Sequence, residues 1–401
     1  MNDPYPHAYL QRPRLDKPMA EIYADLDAFS WETPPDREPA YFFTFVLLPP
    51  VFFEGRFLKG ILLSHDADFL LRSFPGIEDR FLVLANSRFC SYPHSKSAHG
   101  LCTLYPNAAR ERWFRSNQPA RAQQALVPIQ APDWTNDQSM KPVPGLTRDL
   151  DVLCISRFIA NKNLPFLAEA LKVYRRKHGL IRMTLPNGYD TPWHSLEGHE
   201  LEIFKHMEKV LGRLEDYIDL IDKIPHHRMP EYYSRSKCLV LASLLEGKNR
   251  ALHEAMLCDT PVVACRDFNH YLRGDTPIVP EGAGSLAAFD PESFADALHR
   301  TLKHRDDFHP RQGYLAGFSG RRWALTVCID SIPYYRSALE GFQTGRHHAN
   351  EWLNRGIETC YGCRIDTFLF GEDWYSRRYA SGREEHAQLF QFYREELGKK
   401  A

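Results

Sequence analysis

The feature that most constrains the fold is the stretch Cys238–Cys265, which reads CLVLASLLEGKNRALHEAMLCDTPVVAC. Both of its ends, Cys238–Ala242 and Pro261–Ala264, are short apolar runs of strand length, and the second contains two β-branched valines. Between them, apolar residues recur along one stripe of a helix that begins near Asn249 and ends near Asp259, where a following proline blocks continuation. The stretch therefore predicts a β-loop-helix-β unit of a parallel sheet.

Two carboxylates frame this predicted helix. Glu246 lies in the loop before the first turn, and Glu254 lies on the helix body eight positions later. A helix N-terminus presents unpaired N–H groups, Gly247 lets a ligand approach the backbone, and Lys248 and Arg250 add donors. The pattern suits a ligand that carries both phosphate and hydroxyl groups. The alternative is an amphipathic helix with an ordinary acidic cap.

The Glu-x7-Glu spacing, followed by EAM and a PVV strand, resembles the donor half of retaining GT-B glycosyltransferases of the family-4 type (glycosyl transferases group 1). The resemblance implies that Glu246 contacts the donor sugar and that Glu254 contacts the nucleotide ribose. Three positions depart from the usual family pattern: Asn249 and Asp259 stand where glycine is common, and Ala251 stands where proline is common. These departures leave the choice of sugar open.

A pair of cations lies upstream, at the end of another predicted strand. Asp151–Ser156 reads as a buried strand, and Arg157 and Lys162 follow it before a helix that begins near Leu164. The segment resembles the Arg-x4-Lys segment of the same family, which implies that both side chains bind the donor diphosphate. A guanidinium can grip phosphate oxygens with two hydrogen bonds, and a lysine acts as a mobile point charge. The alternative is two surface cations on a loop.

The resemblance also implies roles for residues at the end of the next strand, where the family lines its nucleotide pocket chiefly with backbone groups. The candidate catalytic residues are Glu246, Arg157 and Lys162. The candidate donor-binding residues are Gly247, Lys248, Asn249, Arg250, Glu254, Asn187 and Gly188.

The first half of the chain carries weaker signals. Strands are predicted at Tyr41–Leu48, Gly60–Ser64 and Phe81–Ala85, and polar residues follow the last two. Because ligands of open α/β sheets bind at the carboxyl ends of strands, we expect acceptor contacts from His65, Ser87 and Arg88. For His65 the alternative is a solvated loop histidine. The half lacks the glycine-rich loop expected near the start of a family-4 acceptor domain.

The alternation of strands and helices predicts an α/β protein. The resemblance implies that it is of the GT-B class, with two Rossmann-like domains facing a central cleft and a helical C-terminal extension. The predicted domains are an acceptor-side domain over 1–148, a donor-binding domain over 149–316, and a segment 317–401. Gly317–Arg336 in the last segment reads as a helix, and the resemblance implies that this helix crosses back onto the first domain. Four roles are left open for residues 340–401: an extra packed layer, a lid on the acceptor site, an oligomer contact and a membrane-surface element.

Composition narrows the class of protein. The net charge of −1 argues against a nucleic-acid binder, which needs a basic surface. Nine scattered cysteines predict reduced thiols in a cytosolic protein, and the lone pair Cys360 and Cys363 is weak evidence for zinc, so no metal is predicted. The N-terminus lacks the apolar core of a signal peptide. The longest apolar run, Ala40–Phe53, is too short for a membrane helix and contains prolines.

The chain is therefore expected to be a cytoplasmic, metal-independent glycosyltransferase of the hexosyltransferase type, without a cofactor. It is expected to move a sugar, with retention of configuration, from a UDP- or GDP-sugar to a glycan or lipid-linked acceptor in polysaccharide or glycoconjugate biosynthesis. The sequence leaves open the acceptor, the sugar, the linkage and the oligomeric state. It also leaves open whether the protein makes peripheral contact with the inner face of the membrane. Two alternatives remain: a catalytically silent GT-B module that binds carbohydrate or a partner, and an epimerase or phosphorylase of the same fold.

Overall fold

The computed structural model contains two compact units. The chain passes between them at Asn136/Asp137 and again at Ser319/Gly320. The predicted boundaries fall after residues 148 and 316. The structure describes residues 44–53, 55–64, 67–73, 76–86, 95, 97–102, 116, 123–129, 133, 135, 137–188, 193–244, 249–266, 279–317, 321–339 and 363–364.

The described helices and strands follow one another along both units. In chain order they are β1 (Thr44–Leu48), β2 (Val51–Phe53), β3 (Arg56–Leu58), β4 (Gly60–Ser64), α1 (Ala67–Ser73), α2 (Ile77–Arg80), β5 (Phe81–Ala85), β6 (Gly100–Cys102), β7 (Ala125–Val127), β8 (Leu150–Leu153), α3 (Leu164–His178), β9 (Met183–Pro186), α4 (Gly198–Leu211), β10 (Ile218–Ile221), α5 (Met229–Arg235), β11 (Ser236–Leu241), α6 (Arg250–Leu257), β12 (Val262–Cys265), β13 (Gly284–Ala287), α7 (Pro291–Lys303), α8 (Pro310–Gly317), α9 (Arg321–Ser331), α10 (Pro333–Ala338) and β14 (Cys363–Arg364).

The sheet of the first unit is mixed rather than wholly parallel. Its order is β14-β1-β4-β5-β6-β7, and the four strands from β4 to β7 are parallel. The predicted strands at Gly60–Ser64 and Phe81–Ala85 are confirmed. By contrast, β1 runs antiparallel to both β4 and β14, so the first sheet departs from a wholly parallel arrangement at this edge. The short connection from β1 to β4 holds only the hairpin β2–β3, and a parallel crossover needs about a dozen residues or more, usually with a helix.

The sheet of the second unit is entirely parallel, with the order β10-β9-β8-β11-β12-β13. This confirms the predicted α/β class. Its strands are short and largely apolar, because helices on both faces bury them. Helix α7 begins where the sequence indicates: the Asp290 side chain accepts a hydrogen bond from the Ser293 backbone N–H at 2.7 Å, and Pro291 takes the first helical position.

This strand order contains one topological switch point. From β8 the chain moves outward through β9 to β10, and from β11 it moves in the other direction through β12 to β13. The neighbours β8 and β11 are therefore the two strands whose following loops diverge. In open α/β sheets, ligands bind in the crevice that such a divergence leaves at the carboxyl ends of the strands.

The predicted β-loop-helix-β unit is confirmed. It consists of β11, α6 and β12, and the two strands pair in parallel. Helix α6 ends in a Schellman motif: Thr260 N–H bonds to the carbonyl of Ala255, and Asp259 N–H bonds to that of Met256, each at 2.9 Å. Asp259 adopts the left-handed conformation, with φ of 56°, at the position where glycine is common. Its Oδ1 also accepts a hydrogen bond from the Arg311 backbone N–H at the start of α8, at 3.1 Å. The departure from glycine thus has a structural reason.

Asp259→Ala should lower the free energy of unfolding by about 1–2 kcal/mol, because alanine tolerates the left-handed conformation poorly and offers no acceptor to α8. The measurement is chemical denaturation of the full chain. Asp259→Asn is the matched control, since asparagine keeps both properties, and it should stay within about 0.5 kcal/mol of wild type. Equal stability of the alanine and asparagine variants would contradict this explanation.

Helices α9 and α10 belong to the core of the first unit. Apolar side chains of α9 and α10, including Leu325, Cys328 and Tyr335, are buried with Leu47 and Val127 of the first sheet. The Tyr335 hydroxyl donates to the Lys59 carbonyl at 2.7 Å. The sequence predicts one helix over Gly317–Arg336, but in the described part of this range α9 ends at Ser331 and Pro333 begins α10. In the described part of the chain, every helix is too short or too polar to cross a bilayer.

Candidate functional site

Arg157 and Lys162 follow strand β8 and lie in the loop at the switch point. The chain leaves the strand through a 3₁₀ turn, Ala160–Lys162, and Asn163 then takes a left-handed conformation before α3 begins. Phe158 anchors this loop, because its ring is buried and meets the ring of Trp193 edge-on at 5.4 Å. The anchor leaves the neighbouring Arg157 exposed to solvent and Lys162 half-buried. A rigid loop thus carries two cations at the carboxyl edge of the sheet.

The end of β9 packs directly against Arg157. A Cβ on Gly188 would lie 2.8 Å from the Cγ of Arg157 and 3.5 Å from its Cα, so the guanidinium stem occupies the space that a side chain would need. Asn187 is buried, and its backbone N–H donates to the Ile221 carbonyl at the end of β10, at 2.9 Å. The structure therefore brings two of the predicted donor-binding residues, Asn187 and Gly188, together with Arg157.

Strand β11 leads to the other side of the switch point, where α6 begins. Asn249 is buried, and its Oδ1 caps the helix by accepting a hydrogen bond from the Leu252 N–H at 3.1 Å. Because β8 and β11 are paired in parallel, with Leu239 opposite Leu153, their following segments leave the sheet at the same edge. Lys162 and the start of α6 thus follow neighbouring strands, as the predicted site requires.

Glu254 lies one turn inside α6, and three side chains hold its carboxylate. Its side chain is only 5% exposed. Oε1 accepts from the Arg250 Nε at 2.7 Å and lies 3.0 Å from the His226 Nε2, and Oε2 accepts from the Tyr233 hydroxyl at 3.0 Å. Arg250 also places its Nη2 2.7 Å from the same His226 nitrogen. We call these four residues, Glu254, Arg250, His226 and Tyr233, the Glu254 cluster.

Electrostatics keep Glu254 charged. Burial is the largest influence on its pKa and raises it, but the His226 contact, the Arg250 charge and the Tyr233 hydrogen bond together hold the pKa below its ordinary value. Tyr233 shows the opposite effect, because burial and the adjacent carboxylate raise the pKa of its phenol well above the ordinary value. At neutral pH the cluster therefore contains an ionised carboxylate and a neutral phenol.

The sequence missed two members of this cluster. His226 follows β10 in a 3₁₀ turn, and Tyr233 lies on the next helix, α5, so both come from the segment between β10 and β11. The position of His226 just beyond a strand end is the signal that sequence reasoning could have used. Tyr233 has no such signal, because an aromatic residue on a short amphipathic helix reads as core.

Several predicted residues lie outside the described part of the chain. These are Glu246, Gly247 and Lys248 of the loop before α6, and His65, Ser87 and Arg88 of the acceptor side. Their roles stay predictions. Near the acceptor side, Asp68 of α1 accepts hydrogen bonds from the Ser95 hydroxyl and the Ser97 N–H, each at 2.7 Å, and so ties down the segment before β6.

The comparison with protein families matches the second unit. Residues 149–304 match the model of the family described as Glycosyl transferases group 1, which confirms the predicted resemblance over these residues. The matched range contains both sides of the switch point. Among curated proteins, none matches the chain significantly.

Solved structures with detectable similarity include several transferases. TarM of S. aureus, a variant crystallised with fondaparinux, alpha-GlcNAc-glycerol and UDP, is 14% identical, with a TM-score of 0.46 over 68% of this chain and 55% of that chain. Sucrose-phosphate synthase from Thermosynechococcus elongatus is 20% identical, with a TM-score of 0.44 over 65% and 68%. An alpha,alpha-trehalose-phosphate synthase (UDP-forming) from Burkholderia vietnamiensis is 18% identical, with a TM-score of 0.42 over 64% and 66%. The chain thus spans little more than half of the TarM structure.

Proposed function

We propose that the protein is a retaining glycosyltransferase that transfers a sugar from a nucleotide-diphosphate sugar to an acceptor hydroxyl. The observation that carries this proposal is the switch point of the second sheet. Two cations follow one of its strands, a capped helix N-terminus and a buried carboxylate follow the other, and the family match covers both. These are the groups that a diphosphate and a ribose require in one crevice.

In this proposal Arg157 and Lys162 hold the diphosphate. Their charges and the N–H groups at the start of α6 stabilise the negative charge that builds on the departing nucleoside diphosphate. Cations in these positions allow the leaving group to depart without a metal ion. The packing of Arg157 against Gly188 supports this role, because it places the base of the arginine side chain beside the end of β9, at the same edge of the sheet.

On the other side, the Glu254 cluster faces the ribose, and Glu246 orients the donor sugar and stabilises an oxocarbenium-like centre. An acceptor hydroxyl then attacks from the same face that the diphosphate leaves, and a diphosphate oxygen takes its proton. Such a step retains the anomeric configuration and needs no separate base, so no residue is assigned as one.

The acceptor and the biological role are also proposals. We propose a UDP- or GDP-sugar donor and a glycan or lipid-linked acceptor, in keeping with the match of residues 149–304 to the Glycosyl transferases group 1 family. We propose a role in polysaccharide or glycoconjugate biosynthesis at the cytoplasmic side, with the acceptor bound by the first unit.

The test is a panel of UDP-, GDP- and ADP-sugars, scored by thermal shift and by release of nucleotide. One donor class should raise the melting temperature, and slow hydrolysis of that donor should accompany it. A Glu246→Ala enzyme is the control for contaminating activity and should lose most of this turnover while keeping the fold. Binding without any turnover across the panel would instead indicate a catalytically silent carbohydrate-binding module. The absence of any binding would contradict the proposal.

A further inference from the structure

One nitrogen atom in the Glu254 cluster has two incompatible neighbours. The Nε2 of His226 lies 3.0 Å from Oε1 of Glu254, which can only accept a hydrogen bond, and 2.7 Å from Nη2 of Arg250, which can only donate one. A neutral ring with its proton on Nδ1 accepts from Arg250 and cannot donate to Glu254. A ring with a proton on Nε2, whether neutral or doubly protonated, donates to Glu254 and cannot accept from Arg250. The ring therefore bonds to one of them at a time.

We propose that His226 is a pH-dependent gate on Arg250 in the donor pocket. In the neutral state with its proton on Nδ1, the ring accepts from Arg250 and holds the guanidinium back over Glu254. In the protonated state the ring donates a hydrogen bond to the Glu254 carboxylate and no longer accepts from Arg250. The Nη2 end of Arg250 is then released toward the phosphate or hydroxyl groups of the bound donor.

The surroundings of His226 favour such a switch. Its side chain is 58% exposed, so a proton can reach the ring, whereas Glu254 is nearly buried and fixed by Tyr233. Within the described residues, the charged or titratable groups that contact His226 are Glu254 and Arg250, both from α6. Arg228, on the same turn as His226, is held by Glu231 at 2.9 Å and points its charge elsewhere.

The carboxylate stays available in both states. Although burial raises the pKa of Glu254, its hydrogen bonds and the Arg250 charge hold that pKa below the ordinary value of 4.5, so the group is ionised throughout the range in which a histidine titrates. Glu254 acts here as a positioning residue for Arg250 and His226. Protonation of His226 also adds a positive charge beside the donor site, which favours an anionic ligand.

This inference rests on the proposed function and predicts tighter donor binding in mild acid. The experiment is calorimetric titration of the full chain with UDP-glucose, GDP-mannose and ADP-glucose, whose diphosphate diesters keep a constant charge over the range. From about pH 8 to about pH 5.5, the affinity for the bound donor should rise by about three- to tenfold in wild type. In His226→Gln, whose amide cannot be protonated, the rise should be less than about twofold.

Two further variants complete the experiment. His227→Gln removes the neighbouring exposed histidine and should follow the wild-type profile, whereas Arg250→Gln removes the gated group and should flatten the profile. A pH profile of His226→Gln that superimposes on that of wild type would overturn the gate alone, with donor binding intact. If wild type bound none of the three donors at either pH, the proposed function would fail, and the gate with it.

Discussion

An Arg157→Ala enzyme should bind its nucleotide-sugar donor about 100-fold more weakly than wild type. Arg157 is exposed at the carboxyl edge of the second sheet, on a loop that buried Phe158 anchors, so removing the guanidinium should leave the fold intact. In the proposed site, Lys162 and the N–H groups at the start of α6 then face the diphosphate without the bidentate hydrogen bonds of the guanidinium. Calorimetric titration with the donor identified by the panel measures the loss. Arg157→Lys is the matched control. Its donor affinity should lie between those of wild type and Arg157→Ala, because lysine keeps the charge but not the planar guanidinium.

Gly188 offers an independent way to disturb the same guanidinium. The Cβ of Gly188→Ala would stand 2.8 Å from the Cγ of Arg157, so the arginine stem must shift and donor binding should weaken about tenfold. Since both changes act on one group, the double variant should bind no more weakly than Arg157→Ala alone. Additive losses in the double variant would contradict the claim that Gly188 matters through Arg157.

The second large effect concerns stability. Glu254→Ala should lower the free energy of unfolding by about 2–4 kcal/mol, measured by urea denaturation. Most of this loss should come from the Tyr233 hydroxyl, which is left buried without its acceptor, because Arg250 and His226 are each more than half exposed and their ion pairs are weak. Glu254→Gln is the control: it fills the same space and can still accept from Tyr233, so it should lose less. An alanine variant as stable as wild type would contradict the structural role of the cluster.

The same carboxylate gives a pH dependence with a definite sign. The folded-state pKa of Glu254 is depressed below its ordinary value of 4.5, so its ionised form contributes stability above that value and loses it as the pH falls through the folded-state pKa. Glu254→Gln lacks this contribution. The difference in unfolding free energy between wild type and Glu254→Gln should therefore shrink from about pH 5 to about pH 3. A constant difference over that range would contradict a stabilising role for the ionised Glu254 carboxylate.

The second unit was predictable because its sequence signals agree with one another. The strands around α6 are apolar runs bounded by turns, and α7 carries both an aspartate cap and a proline at its first position. Strand β13, Gly284–Ala287, has no such signal in the sequence. Gly284 begins it with a Cβ position 2.0 Å from the Val262 carbonyl oxygen, so close backbone approach rather than apolar pattern defines this edge strand.

The residues of the candidate site also differ in whether the sequence predicts them. Arg157, Lys162 and Glu254 could be named because family spacing marks them, and the strand order then places their segments at one edge of the sheet. His226 and Tyr233 could not be named in that way, since their role arises only when the segment after β10 folds against α6. Tertiary contacts of this kind leave no periodic trace in the sequence. The antiparallel orientation of β1 has a related cause, because the length of a connection rather than a residue pattern decides it.

The most direct test of the central claim is an experimental structure of the full chain with its nucleotide-sugar donor bound. We predict that the diphosphate lies within hydrogen-bonding distance of Arg157 and Lys162, and that the ribose lies beside the Glu254 cluster. A donor bound at another place, with the side chains of Arg157 and Lys162 turned away from it, would contradict the account.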